Sequence, residues 1–314
     1  MMIKKLIPAA ALLALTGAAQ AQVSIYGLVD VAMAKSLADD ASTPKKDGTL
    51  IFGGNSATRV GLKGSTDLGS GIKGNFQLET SAIDINGKLD GDILFGRQAW
   101  VGASGAFGEV RAGRQDSVGF QTLIGFDLNG AANIASASVA AGIAGGLLNG
   151  QGTRSVQYIA PTVAGFKVQL GYQAADTSGI TTEADAGGKA STAYGVTYTL
   201  DKLTLAVAGS SKTSSGGNSA SSFAGSYDFG IFKAVANISG TKGAKGSMIG
   251  AVAPVAGVNV GLQYAKNTDT KVNATELFVN KEILKNTYAY ADYVSKKAGS
   301  VKNDAYAVGV IYTF

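Results

Sequence analysis

The sequence contains no cysteine and no histidine. Without cysteine the chain can rely on neither disulfides nor a thiolate metal site. Without histidine it lacks the commonest general base and the commonest metal ligand, so a serine-histidine-acid hydrolase is excluded by composition. Lysine-based nucleophilic chemistry stays formally open, but no residue pattern points to it. No catalytic set, metal set or cofactor motif is expected, and glycine-rich strings such as Gly142–Gly150 lack the strand, lysine and helix context of a phosphate loop. Proline is scarce at 4 residues, there is a single tryptophan, and only 16% of the chain is charged. Long apolar runs are missing too. Past the first residues, the one uncharged stretch long enough to raise a membrane-helix question is Leu128–Thr153. It is interrupted by Asn129, Asn133, Ser136, Ser138 and Asn149 and makes a poor spanning helix.

What is present is glycine (44 residues) with 12 tyrosines and 12 phenylalanines. That composition suits a large all-β protein with many short strands. Residues 1–21 read as a secretory signal, with Lys4 and Lys5, the apolar core Leu6–Leu15 and the small-x-small site Ala19-Gln20-Ala21. The expected mature chain begins at Gln22 and runs to residue 314, one domain with 25 basic and 22 acidic residues. The basic residues are dispersed, which gives no support for nucleic-acid binding.

From Val23 onward the pattern has period two. Val23, Ile25, Gly27, Val29 and Val31 oppose Ser24, Tyr26, Leu28 and Asp30. Ile72, Gly74, Phe76 and Leu78 oppose Lys73, Asn75, Gln77 and Glu79, and such alternation means an antiparallel sheet wet on one face. Sixteen strands are expected, at 23–33, 57–66, 72–82, 93–104, 108–116, 153–160, 165–174, 189–200, 203–212, 220–228, 231–240, 245–253, 258–266, 273–283, 287–295 and 303–314. Tight turns such as Asp67–Gly71 and Asp201-Lys202 alternate with longer loops. An even number of strands of about 9–11 residues, with short turns at one end and longer loops at the other, describes an outer-membrane barrel. A soluble β-sandwich fits less well. Many apolar positions are Gly or Ala, too small to fill a core, and the opposite faces carry Lys, Glu, Arg and Gln.

One connection stands apart. Ser117–Gly150 is 34 residues long and its only charged side chain is Asp127. Loops longer than about 12–15 residues are usually functional or disordered. Ala131–Ala141 has the propensity for a short helical piece. Arg59, Arg97, Arg111, Arg114 and Arg154 are expected at one height around the mouth of this loop, a basic arc. Parity turns Arg59, Arg111, Lys63 and Lys73 inward; Arg97 is assigned inward because Trp100 is placed on the other face. Strict alternation turns Arg114 and Arg154 outward, so these two need a strand end, a bulge or a loop contact. The expected constriction and selectivity residues are thus Arg59, Arg97, Arg111, Arg114, Arg154, Lys73, Asp116 and Asp127, with Glu79, Glu109, Asp30 and Glu276 opposing. Fixed positive charge in a narrow aqueous channel favours anions. The competing reading is that the arginines pair with lumenal carboxylates and hold the loop.

The chain resembles the general diffusion porins of Gram-negative bacteria, in particular the neisserial and β-proteobacterial family. The matching segments are Val23–Asp30, Thr58–Gly64 with Asp67–Gly71, Phe95–Gly102, Phe107–Gln115 and the terminal Tyr312-Thr313-Phe314. The resemblance implies a homotrimer of 16-stranded antiparallel transmembrane β-barrels in the outer membrane, each with its long third external loop, here residues 117–150, folded into the lumen. It implies outer-membrane lipid and lipopolysaccharide as surroundings, and a terminal aromatic, Phe314, read by the outer-membrane assembly machinery. Many relatives carry an acidic, Pro- and Gly-containing motif in the third loop, and this chain does not. The expected function is passive diffusion of small hydrophilic solutes, with a weak to moderate anion preference. The alternatives are a channel selective for a carboxylate or phosphate, a structural or adhesive barrel and, weakest, an enzyme.

Overall fold

The computed structural model describes residues 22–37, 48–130, 133–143, 151–175, 190–211 and 218–314. The expected signal segment 1–21 lies outside them, as do Ala131, Ala132 and residues 144–150 of the central loop. Seventeen strands form one sheet: β1 (Gln22–Lys35), β2 (Thr49–Phe52), β3 (Arg59–Gly69), β4 (Ile72–Glu79), β5 (Gln98–Gly105), β6 (Gly108–Asp116), β7 (Gln151–Ile159), β8 (Phe166–Gln173), β9 (Ser191–Leu200), β10 (Leu203–Ser210), β11 (Ala220–Asp228), β12 (Lys233–Thr241), β13 (Gly246–Val255), β14 (Val258–Asn267), β15 (Asn273–Leu284), β16 (Thr287–Ala298) and β17 (Val301–Thr313). Every neighbour is antiparallel, and β1 closes the ring by pairing with β17 on one side and β3 on the other. Around the circumference the count is sixteen, because β2 and β3 share one position: β2 pairs with the upper half of β1 and β3 with the lower half.

That split corrects the expected single second strand at 57–66. Residues 53–58 leave the ladder and turn inward because Asp30 offers them better partners. The backbone N–H groups of Asn55 and Ser56 both donate to Asp30 Oδ2 at 2.7 Å, and Thr58 Oγ1 accepts from the Asp30 N–H at 2.9 Å. The expected strand 93–104 likewise shortens to Gln98–Gly105, leaving Arg97 in the connection. That connection contains a small turn in which Asp84 Oδ1 accepts from the N–H groups of Asn86 and Lys88 at 2.8 and 2.9 Å. The Lys88 N–H is the main reason the Asp84 carboxyl is held below its ordinary pKa. This turn is therefore firmest above the ordinary carboxylate range, and its support is lost as pH falls through the depressed value.

The outer face is apolar over most of its height. Ile25, Val101, Ile238, Ile249, Leu262, Leu277 and Val308 are each between 49% and 68% exposed. In water such a belt would be an aggregation surface; in lipid it is the solvent-matched face, and closure leaves no unpaired edge. Tyr306, Val308, Val310, Tyr312 and Phe314 share the outward face of the last strand, as their spacing predicts. At the seam, Gly27 and Phe314 exchange N–H to carbonyl bonds at 3.0 and 3.1 Å. A Cβ at Gly27 would stand 2.5 Å from the Arg59 carbonyl and 2.7 Å from the Phe314 ring. Replacing Gly27 by Val should therefore destabilise the barrel by about 1–3 kcal/mol, the usual range for overpacking. Urea unfolding in detergent, followed by heat-modifiable gel mobility, measures it; an unchanged midpoint would mean that the seam yields freely.

Candidate functional site

The inner face is divided into two unlike walls. On β10 to β17 and the upper part of β1 the inward positions are mostly small, among them Ala206, Ala208, Ala220, Ala224, Ala265, Ala274 and Ala305, all at most 6% exposed. They are covered by the connection between β6 and β7. Its first part is helix α1 (Val118–Leu123), started by the Ser117 hydroxyl accepting from the Phe120 N–H at 3.1 Å. A single turn, Ile124–Phe126, follows. Leu123 and Phe126 pack on Ala206, Ala208, Ala220 and Ala224. Helix α2 (Ala137–Ala141) is capped by Ser136 and ends at Gly142, whose φ of 69° is the left-handed turn that glycine adopts without strain. Ala135, Ala137, Ala140, Ala141 and Ile143 meet Met248, Ala265, Ala274, Val294 and Ala305. The helical piece expected over Ala131–Ala141 is thus confined to its last five residues, with Ala131 and Ala132 outside the described residues. Alanine on both sides lets backbone approach backbone, so the loop lies flat on the wall.

A set of carboxylates and amides pins it there. Asp127 accepts from Ser136 Oγ at 3.0 Å, Ser138 Oγ at 2.8 Å and Gln263 Nε2 at 2.9 Å. Glu276 accepts from the Ala137 N–H at 2.8 Å, Asn129 Nδ2 at 2.9 Å and Gln263 Nε2 at 2.9 Å. Asn55 Nδ2 bridges Asn129 Oδ1 and Asp292 Oδ2 at 3.1 and 2.8 Å, and Tyr290 donates to Asp30 at 2.6 Å. Asp30 and Glu276 are fully buried. Asp127 is 5% exposed, so it is an anchor inside the loop and not, as expected, a charge presented to the pore. Sequence reasoning missed Gln263, Asn129, Asn55, Asp292 and Tyr290. For Gln263, Asp292 and Tyr290 the one available signal was a polar residue at inward parity in strands otherwise lined by small residues; Asn55 and Asn129 lie in connections, where parity gives no signal.

The opposite wall carries the cations. Arg59 and Arg97 converge on Glu79 Oε1 at 3.6 and 2.6 Å, and Tyr26 donates to Glu79 Oε2 at 2.8 Å. Arg59, Arg97 and Glu79, with Asp116, Phe120, Ile124, Asn129 and Gly130, line a cavity of about 310 Å³ between the wall and the loop. Arg111 is elsewhere. It pairs with Glu109 at 2.7 Å, lies 4.4 Å above the Trp100 ring, and with Lys63, Asn75 and Gln77 lines a second cavity of about 480 Å³ nearer the short turns. The expected arc of five arginines at one height is therefore two tiers. Trp100 is inward, opposite Gly113, and its Nε1 donates to Gln98. The outward placement of Trp100 is corrected, while Arg97 still faces the lumen because it precedes the strand and is drawn in by Glu79. Arg114 and Arg154 sit at a bulge, where the register shifts between Gly113 and Gln115 against Ser155 and Gly152. Arg154 adopts φ 47° and Arg114 Nε donates to the Gly96 carbonyl, so strict alternation does not apply to either. Lys73 faces Ser104 across the ladder and is exposed at the short-turn end, away from the loop. Asp116 ends β6, and its carbonyl accepts from Gln121 and Gln157 at 2.6 and 2.8 Å.

The buried anchors make a direct test of what holds the loop. Asp127→Ala removes the acceptor of the bonds from Ser136, Ser138, Gln263 and the Asn129 N–H and strands buried donors, at a cost of about 1–3 kcal/mol per unsatisfied group. The expected result in planar-bilayer recording is a noisier single-channel current with excursions to higher conductance; a quiet current of wild-type amplitude would show that packing alone retains the loop.

A family model described as Gram-negative porin matches residues 9–314. The chain is 33% identical to outer membrane porin protein 32 of Delftia acidovorans, over 92% of this chain and 88% of that protein. It is 36% identical to the major outer membrane protein P.IB of Neisseria meningitidis serogroup B, over 37% of this chain and 34% of that one. Among solved structures it matches an anion-selective porin from Comamonas acidovorans with a TM-score of 0.76 at 24% identity, covering 94% of this chain and all of that one (100%). It also matches OmpF of Salmonella typhi with a TM-score of 0.72 at 15% identity, over 93% and 97% of the two chains. The chain belongs to the Gram-negative porin family, and it forms a water-filled channel in the outer membrane for passive diffusion of small hydrophilic solutes and ions.

Proposed function

We propose that the channel prefers anions weakly to moderately, and that Arg59 and Arg97 set that preference. The observation that carries this reading is an inequality of exposure. The two guanidinium side chains remain 23% and 21% exposed, whereas the Glu79 side chain between them is 6% exposed. A carboxylate turned into the wall lowers the net field but cannot itself meet a passing ion. The positive groups can, and a low-dielectric wall strengthens their effect. Asp116 moderates it at the edge of the same cavity, and Arg111 with Lys63 extends positive charge below. Arg114 and Arg154, behind the bulge, act by shaping β6 and β7, and Lys73 acts at the rim. The anion-selective description of the Comamonas acidovorans neighbour agrees with this reading.

The same proposal covers processing and assembly. Residues 1–21 act as an export signal cleaved before Gln22, Phe314 serves as the terminal aromatic recognised during insertion, and the barrel works as a homotrimer. Support for the last comes from a structural neighbour described as a trimer form of OmpT from Vibrio cholerae.

In a salt gradient across a planar bilayer, the wild-type reversal potential should favour chloride over potassium. Arg59→Ala with Arg97→Ala should reduce the chloride-to-potassium permeability ratio by about twofold or more, as expected when lumenal charge sets selectivity. A wild-type potential favouring potassium would overturn the anion preference. An unchanged ratio in the double variant would remove these two arginines from the role.

A further inference from the structure

Between the constriction and the short turns, the lumen face of β1 to β6 carries two successive rows of side chains. In the first, Ser24, Lys63, Gln77 and Trp100 are partners across the ladder. In the second, nearer the short turns, the partners are Ser65, Asn75, Gly102 and Arg111. Gly102 leaves the second row without a side chain on β5, and a Cβ there would stand 3.2 Å from Arg111 Cγ. The Arg111 stem uses that gap to cross β5, and its guanidinium comes to lie 4.4 Å from the centre of the Trp100 ring. Glu109 holds the edge of the guanidinium through Nη2 at 2.7 Å.

A guanidinium is planar and weakly hydrated, so both of its faces can stack on π-systems. The indole takes one face of Arg111 and Glu109 takes its edge, yet the side chain keeps 23% exposure and lines the cavity of about 480 Å³. The free face is therefore the one turned to the lumen. Charge in this cavity does not cancel. Glu109 offsets Arg111, whereas Lys63 is exposed, has no ion-pair partner among the described residues and lies 5.1 Å from the centre of the Tyr26 ring. Two cations and one acid leave a single net positive charge, the complement of a monoanion. Lys63 and Trp100 are two strands apart in one row, about 10 Å at the usual strand spacing. That is the span from a carboxylate held at Lys63 to a ring lying over Arg111.

We propose that this cavity is a solute subsite for aromatic monocarboxylates. The solute's ring completes a three-layer stack with the Arg111 guanidinium and the Trp100 indole, and its carboxylate meets Lys63 Nζ. Ser24 and Gln77, in the same row, supply polar partners for a ring hydroxyl. A compact dianion has no flat face to stack and meets the charge of Glu109, so the site discriminates by shape as well as by sign. This inference rests on the channel reading, since the solute reaches the cavity through the lumen. It adds to a general anion preference one class of anion that the channel holds on its way.

Trp100 is the only tryptophan of the chain, so its fluorescence reports on this site alone. The full-length barrel refolded in detergent is titrated with benzoate and excited at the red edge of the indole band. Benzoate should change the emission saturably. Cyclohexanecarboxylate, of equal charge but without a flat π-face, and benzyl alcohol, aromatic but uncharged, should each bind about fivefold or more weakly. Lys63→Ser and Arg111→Lys should each weaken benzoate binding by about the same factor, the second because lysine keeps the charge and loses the plane. Lys285→Ser, in the turn after β15, should bind like wild type. Heat-modifiable mobility checks that each variant is folded, and if one is not, the three ligands compared on wild type still decide. Equal binding of benzoate and cyclohexanecarboxylate, equal benzoate binding by wild type and Arg111→Lys, or an emission unchanged throughout the titration overturns the proposal. The wild-type reversal potential in chloride is read without benzoate, so the anion preference and this subsite fail separately.

Discussion

Every backbone N–H and C=O in a hydrocarbon layer must find a partner within the protein, and a sheet does this only by closing on itself. The closure here depends on β1, which meets β17 on one side and β2 and β3 on the other. Its last link is the exchange between Gly27 and Phe314, made close by the missing side chain at Gly27. Once the ring is closed, side-chain parity sorts each strand into a lipid face and a lumen face. The remaining architecture follows from what the lumen face carries.

Two kinds of inner wall result, and they divide the labour. The alanine-lined wall has no side chains to fill the space beside it, so the connection between β6 and β7 does so with alanines of its own. Burial of that interface brings Asp30, Glu276, Asp127 and Asp292 out of water, which is tolerable because each accepts hydrogen bonds from amide, hydroxyl or backbone donors. The acids are thereby removed from the aqueous path. On the other wall the cations stay in it, braced by Glu79, Glu109 and the faces of Tyr26 and Trp100. The described anchors of the loop and the lumenal arginines thus lie on separate walls. Of the competing expectation, that the arginines pair with lumenal carboxylates and loop carbonyls and so hold the loop, the pairing is seen at Glu79, Glu109 and the Ala57 and Gly96 carbonyls, while the anchors Gln263 and Glu276 hold the described part of the loop from the opposite side.

The outside of the barrel obeys the same logic in another solvent. Apolar and aromatic rows face lipid, and polarity returns in steps toward the long loops on β14 to β17. The exposed lysines there, Lys266, Lys297 and Lys302, are a different feature from the lumenal arginines, since they face away from the channel.

The sequence by itself determined the barrel. Alternation of period two needs only neighbouring residues, so strand number, the lipid face of Tyr306 to Phe314 and the inward course of Arg59, Arg111 and Lys63 were all legible. It also marked 117–150 as anomalous by length. What only the tertiary structure decided lies where strands stop obeying alternation or where partners are far apart in the chain. The break at 53–58 follows from the side chain of Asp30, and the bulge beside Arg114 and Arg154 from the register against β7. Arg97 turns inward because Glu79 lies across from it, a contact strand parity cannot encode. The anchors of the loop are the plainest case: Asp127 meets Gln263 across 136 positions and Asn129 meets Glu276 across 147. Periodicity reports which face a side chain occupies, but only closure of the ring brings those faces together.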